Sequence, residues 1–176
     1  MKKFYWSILF AGLISSCAPL SREVMRQVDP VLTFAEVQRD PERYRGKVVL
    51  WGGKIIETIN RPNETVIKVA QTELDLEKRP KNLDTSQGRF LVRYSGFLDP
   101  AIYGRDREIT VAGEVAGKEV QQVGTMPYPY PVILAREIYL WEKPDRYYRY
   151  PPPWYFEPYP YWWYRPYWRY RHPFWW

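Results

Sequence analysis

The chain has 176 residues, one cysteine, one histidine and a formal net charge of +6. That length suits one domain. One cysteine excludes an internal disulfide, and His172 alone leaves almost no material for a His-based triad, a zinc site or a His metal cluster. The charge is placed unevenly: from Cys17 to Glu142, 18 Lys and Arg face 18 Asp and Glu, so the basic excess lies in the leader and the tail. A nucleic-acid binder would carry its basic patch on the fold, so the chain reads as one with no nucleic-acid partner.

Lys2 and Lys3 precede an apolar run from Trp6 to Ile14, and Ser15-Ser16-Cys17 follows. The run is about half the roughly 20 residues that a membrane-spanning helix needs, so it reads as a secretory signal over residues 1–16. Small residues leading into a cysteine resemble the bacterial lipobox. There the thiol takes a diacylglycerol, the leader is cleaved, and the new amino terminus is acylated. Cys17 is thus the expected lipidation site (N-acyl and S-diacylglycerol). Two or more acyl chains give stable anchoring where one is marginal. Ala18 follows the cysteine. By analogy with enterobacterial lipoproteins, the absence of Asp there favours the outer membrane.

Residues 17–30 are polar and without period, and read as a tether between lipid and domain. Thr33-Phe34-Ala35-Glu36 fits a capping box and predicts a short helix to about Arg39. Asp40-Pro41 ends that helix, and Pro41 to Tyr44 predicts one further turn. A long first strand runs from Val48 to Ile59, and Gly52-Gly53 inside it predicts a bulge or bend where one strand serves both sides of a small barrel. Strands follow at about Thr65–Thr72 and Arg89–Ser95, separated by a charged loop. The next, Arg107–Ala116, alternates with Ile109, Val111 and Val115 inward and Glu108, Thr110 and Glu114 outward. Gly117-Lys118 predicts a turn, and Glu119–Val123 a short extra strand. Met126 to Pro131 holds three prolines and cannot be a central strand. The last strand is expected from Val132 to Trp141.

The expected fold is therefore mainly β: a small antiparallel barrel of five to six strands over residues 31–142, OB-fold-like in its order, with a short N-terminal helix. A β-sandwich is the alternative. The helix that an OB-fold usually carries between its third and fourth strands is here a loop, Gly96 to Tyr103.

Several motifs occur in one order: Asp40-Pro41-Glu42-x-Tyr44-x-Gly46-Lys47, Trp51-Gly52-Gly53-Lys54-Ile55-Ile56, Ser95-Gly96-Phe97-Leu98-Asp99-Pro100, Ile109-Thr110-Val111-Ala112-Gly113 and Pro127-Tyr128-x-Tyr130-Pro131-Val132. With the lipobox in front, they resemble the Slp family of starvation-inducible outer-membrane lipoproteins of Gram-negative bacteria. The resemblance implies a lipid-anchored envelope protein facing the periplasm and linked to starvation or stationary phase. It implies no enzyme activity and transfers no catalytic residue.

Residues 143–176 form an irregular tail in which 17 of 34 residues are Trp, Tyr or Phe and eight are Pro. Proline at this density prevents a helix or a central strand. Three readings of the tail stay open. Its rings (Trp154, Trp162, Trp163, Trp168, Trp175 and Trp176) and arginines suit a membrane interface; they could stack on sugars of the wall or lipopolysaccharide; or the tail simply covers the barrel. Elsewhere, Asp99 and Asp106 flank a loop with Tyr103 and Arg105 and read as turn caps or surface ion pairs rather than an acid–base pair. Asp75, Glu77 and Asp84 read as a solvated loop, and Trp51 and Trp141 as packing residues. No catalytic, cofactor-binding or metal-binding residue is expected. Two functions remain: a structural, envelope-stabilising lipoprotein, or a binding module for an oligosaccharide, cell-wall or peptide ligand. An open groove lined by Trp or Tyr from the second and third strands would favour binding; a filled barrel would favour the structural role.

Overall fold

The computed structural model describes residues 20–143. All of them belong to the first of two compact units, Met1–Lys143; the second, Pro144–Trp176, lies outside the described residues.

Two short helices come first. Ser21 caps α1 (Arg22–Gln27), its hydroxyl accepting the Val24 N–H at 3.3 Å. In α2 (Phe34–Arg39) the expected capping box is present: Thr33 Oγ1 accepts the Glu36 N–H, and the Glu36 carboxylate accepts the Thr33 N–H at 2.9 Å. A 3-10 turn, Pro41–Tyr44, follows. The five strands are β1 (Val48–Asn60), β2 (Thr65–Thr72), β3 (Gly88–Tyr94), β4 (Glu108–Val123) and β5 (Met126–Leu140). They form one continuous sheet, closed into a ring in the order β1-β2-β3-β5-β4. The two-sheet sandwich does not occur.

The sheet is mixed rather than antiparallel: β3 and β5 run parallel over Leu91–Arg93 and Val132–Leu134. The reason is arithmetic. In a closed ring of five strands, direction cannot alternate all the way round, so at least one neighbouring pair must be parallel. Here that seam is three residues long.

Val49, Trp51, Ile55, Ile67, Val69, Phe90, Val92, Ile109, Val111 and Ile133 fill the interior, all buried. Alternation along each strand puts them on the inner face. Phe34 and Val37 of α2 join them, with the Phe34 and Trp51 rings edge-on at 4.9 Å. The helix thus plugs the ring. Leu98 of the 96–103 loop also belongs to this cluster.

β1 serves two neighbours, as its glycine pair suggests. Val48–Lys54 pairs with β4 and Gly52–Asn60 pairs with β2, so Gly52-Gly53 lies where one partner hands over to the other. The bulge itself sits later, between Ile55 and Glu57. What the glycines provide is close approach: a Cβ on Gly53 would collide with the Ala70 carbonyl, and one on Gly52 would lie 2.8 Å from the Ile109 carbonyl oxygen.

Three expectations need correction. Gly117-Lys118 is not a turn. β4 runs on to Val123, and the register slips between Val115 and Gly117, a bulge that bends the strand. The separate strand at Glu119–Val123 is the continuation of β4. β5 starts at Met126, six residues earlier than expected. Pro127, Pro129 and Pro131 alternate, so every missing N–H is on the same side of the strand. Residues 126–131 pair only with β4, which leaves that side free, as an edge strand allows. The 17–30 tether is also shorter than expected, because residues 20–29 are attached to the domain. Leu20 is 4% exposed, Val28 bridges to Val48, and the Asp29 N–H donates to the Val48 carbonyl at 2.9 Å.

Gly53→Ala is expected to cost about 3 kcal/mol or more, because backbone must move. Gly124→Ala, where nothing lies within 4 Å of the added carbon but φ is +62°, should cost only about 1 kcal/mol. Urea denaturation of both variants checks the difference.

Candidate functional site

Alternation assigns Val66 of β2 and Leu91 of β3 to the outside of the ring, yet both are fully buried. They cluster with Tyr130 and Val132 of β5, and Ala116, Val123 and Tyr128 pack against that cluster. The far half of the β4–β5 hairpin, bent at Gly117, therefore folds back over the outer face of β2 and β3. Polar contacts hold it there. The Tyr128 hydroxyl accepts from the Gln38 amide of α2 at 2.6 Å and from the Arg89 N–H at 3.1 Å. Glu119 of β4 reaches across to Arg93 of β3 at 2.6 Å and to Arg61 of the β1–β2 turn at 3.9 Å. Glu64 closes the square, 3.0 Å from Arg61 and 4.0 Å from Arg93.

Two arginines and two glutamates thus pair with one another and leave no net charge for a ligand. The Gln121 amide and then Arg93, both hydrogen-bonded to the Glu119 carboxylate, hold it below its ordinary value of 4.5 against the opposing effect of burial. Beside this square lies a shallow depression of about 370 Å³, lined by Asn63, Glu64, Arg93, Ser95, Leu134 and Ala135. No aromatic ring lines this depression, and among the described residues the ring interior is filled.

The opposite outer face, formed by β1, β4 and β5, carries both ends of the described segment. At one end of it the Ser21 N–H donates to Glu137 Oε2 at 2.8 Å, and the Ser21 hydroxyl donates to Glu137 Oε1. Arg136, the extra residue at the β5 bulge opposite Ala112 and Gly113, bonds the Gln27 side chain and lies 3.1 Å from Glu114. At the other end the 74–80 loop lies over Gly52 and Thr110, closed by a Leu74–Pro80 bridge, with the Thr110 hydroxyl donating to the Lys78 carbonyl at 2.6 Å. The Trp141 indole N–H donates to the same hydroxyl at 2.9 Å and its ring lies 4.7 Å from that of Tyr139. Arg79 sits 5.4 Å from the Trp141 ring, bonds Glu108 at 2.9 Å and donates to the Glu142 carbonyl. Arg107 donates to the Trp141 carbonyl at 3.0 Å.

Other singled-out residues fall into place simply. Trp51 is core. Asp99 caps a turn, accepting the Ala101 N–H at 2.8 Å, and Asp75 accepts the Arg79 N–H at 2.9 Å. Among the described residues, no group of three His, Cys, Asp or Glu is placed to hold a metal, and no helix is long and apolar enough to cross a membrane. Cys17, His172 and the tail tryptophans lie outside the described residues. The folded-back hairpin and the Ser21–Glu137 clamp were missed in the sequence. The alternating prolines and a Ser21-x-Glu23 helix start were their only local signals.

A filled ring with a covered side face, entered and left along one strand, defines a small mainly-β module. The chain belongs to the outer membrane lipoprotein Slp family, whose model matches residues 14–168. It is 30% identical over 131 residues to the outer membrane protein Slp of Escherichia coli, covering 73% of this chain and 69% of that one. It is 29% identical to an uncharacterized lipoprotein of the same organism, YeaY, covering 70% of this chain and 64% of the relative. An uncharacterized protein of Haemophilus influenzae is also 29% identical, over 78% of this chain and 74% of its own length. No solved structure matches. The names of these relatives specify a location and a lipid anchor, and none specifies a reaction.

Glu119 tests the ion-pair square. Its carboxyl is depressed in the folded state, so its stabilisation is present above about pH 4.5 and is lost as pH falls through the lower folded value. Glu119→Gln should cost about 1 kcal/mol at neutral pH and cost less below pH 4. Chemical denaturation at pH 7 and pH 3.5 measures both.

Proposed function

We propose that this chain is a non-enzymatic, structural lipoprotein of the cell envelope. It is held at the outer membrane by lipid on Cys17, faces the periplasm, and acts in starvation or stationary phase. Family membership supports the membrane and the lipid. The observation that carries the rest is the hold on the chain close to that cysteine: Leu20, three positions after Cys17, is buried, and Ser21 is clamped on Glu137. A domain built so close to the lipidation position suits a part of the envelope better than a module searching on a long leash.

In this reading residues 1–16 are the signal and Cys17 becomes the mature amino terminus, four positions before Ser21 in the sequence. The ring is an OB-type barrel; five strands closed in the order 1-2-3-5-4 support this. The surface over strands two and three that such folds use for ligands is occupied here by the chain's own hairpin, which favours the structural role over the oligosaccharide or peptide module. Residues 143–176 make a second, peripheral contact with the membrane interface through Trp154, Trp162, Trp163, Trp168, Trp175 and Trp176.

Cys17→Ala should remove the protein from the membrane fraction. Co-sedimentation of the unlipidated form would make the tail the true anchor. Deleting 144–176 should leave cooperative unfolding intact, because β5 ends at Leu140 and the bonds of Trp141 and Glu142 are retained; loss of a single transition would show that the tail belongs to the core. Transcript and protein levels in growing and starved cells test the physiological setting.

A further inference from the structure

The N-terminal clamp does more than shorten a tether: it restricts which side of the domain can face the lipid. Ser21 lies four positions after Cys17, a reach of at most about 14 Å. Ser21 lies on Glu137, outside β5. Tyr139 and Trp141 follow Glu137 on the same outward face, so the chain leaves the fold about 13 Å from where it enters. The 74–80 loop lies over that end of the face and raises Leu76, 98% exposed, the most exposed of the large apolar side chains among the described residues.

Resting on the lipidation of Cys17 proposed above, we propose that the outer β1–β4–β5 face is the domain's membrane-contact surface. Leu76 enters the headgroup region of the bilayer that holds the acyl chains, and Tyr139 and Trp141 lie along it. The occupant is a phospholipid surface, and the chemistry suits it. The Tyr139–Trp141 pair presents partly exposed rings beside a guanidinium, the amphipathic combination that prefers a water–hydrocarbon boundary. Leu76 has no packing role to explain its place at the loop tip. Charge does not drive the contact. Asp75 and Glu77 flank Leu76, and Lys81 is paired with Glu73 at 3.3 Å. The contact should therefore depend on Leu76 and only weakly on salt.

Two of the other exposed apolar residues give an internal control. Val120 and Met126, 60% and 71% exposed, lie on the hairpin that folds over β2 and β3, away from the clamp. On this proposal they face away from the bilayer.

The full-length lipidated protein allows a direct test. Its only cysteine carries lipid, so a thiol introduced by Leu76→Cys or Met126→Cys takes a fluorescent label alone. The labelled proteins are placed in vesicles of phosphatidylethanolamine and phosphatidylglycerol. The Leu76→Cys label should be quenched several-fold more strongly by a bilayer-phase quencher than the Met126→Cys label, and less strongly by iodide. The difference should survive half-molar salt. Equal quenching at the two positions, or the reverse order, would overturn the proposal. Mass analysis of the N-terminal peptide separates the two ideas: an acylated protein whose Leu76→Cys label stays in water refutes the face alone. An unacylated Cys17 refutes the anchor and the face together. Leu76→Asp, which alters an exposed side chain and should leave the urea midpoint unchanged, should abolish any protection of the 74–80 amides by vesicles; unchanged protection would also contradict the assignment.

Discussion

An odd number of strands cannot close into a ring with every neighbour antiparallel, and this constraint shapes the rest of the domain. One seam must be parallel. It falls between β3 and β5, and it is only three residues long. The outer side of β2 and β3 is apolar at Val66 and Leu91. β5, which borders the seam, and its hairpin partner β4, bent at Gly117, extend beyond it and lay Tyr130 and Val132 over Leu91 and Val66. The hairpin covers that apolar patch. The Arg61–Glu64–Arg93–Glu119 square fixes its position, and the alternating prolines keep its free edge from recruiting another strand.

Closure also makes β5 the strand that meets both the incoming and the outgoing chain. Its first half is the covering ribbon, its middle is the parallel seam, and its last half carries Glu137, Tyr139 and the approach to Trp141. The incoming chain is clamped on Glu137 and the outgoing chain is held by Arg79 and Arg107. If Cys17 carries lipid as proposed, hydrogen bonds at Ser21 restrict how far the domain can swing on that anchor.

What could be read in the sequence was local. Thr33 and Glu36 announced their capping box, the alternation around Ile109 and Val111 announced a half-buried strand, and Gly52-Gly53 announced a strand shared between two partners. Each rests on neighbours in the chain. What could not be read was set by distant partners. Gly117 looks the same before a turn and at a bulge; only the pairing of Lys118 with Pro131 decides between them. Prolines at 127, 129 and 131 argued correctly against a central strand, but an edge strand needs no N–H on its free side, so strand and prolines coexist. Residues 20–29 have no hydrophobic period because their attachment is one buried leucine, one serine–carboxylate clamp and a bridge to Val48. Of the candidate site, the resemblance of Ser15-Ser16-Cys17 to a lipobox is a local chemical motif. The face that the proposed lipidation would direct toward the membrane depends on where β5 lies, which no local pattern encodes.

The central claim is that the chain is already held on β5 at Ser21, four positions after Cys17, the proposed lipidation site. Amide hydrogen exchange of the vesicle-bound, full-length protein tests it most directly. The amides of Met25 and Asp29, bonded to Ser21 and Val48, should exchange far more slowly than those of an unstructured peptide, and Glu137→Ala should speed the Met25 amide without affecting β1. Exchange of both amides at the unstructured rate in the unmodified protein would mean that a free tether precedes the domain, and would contradict the account.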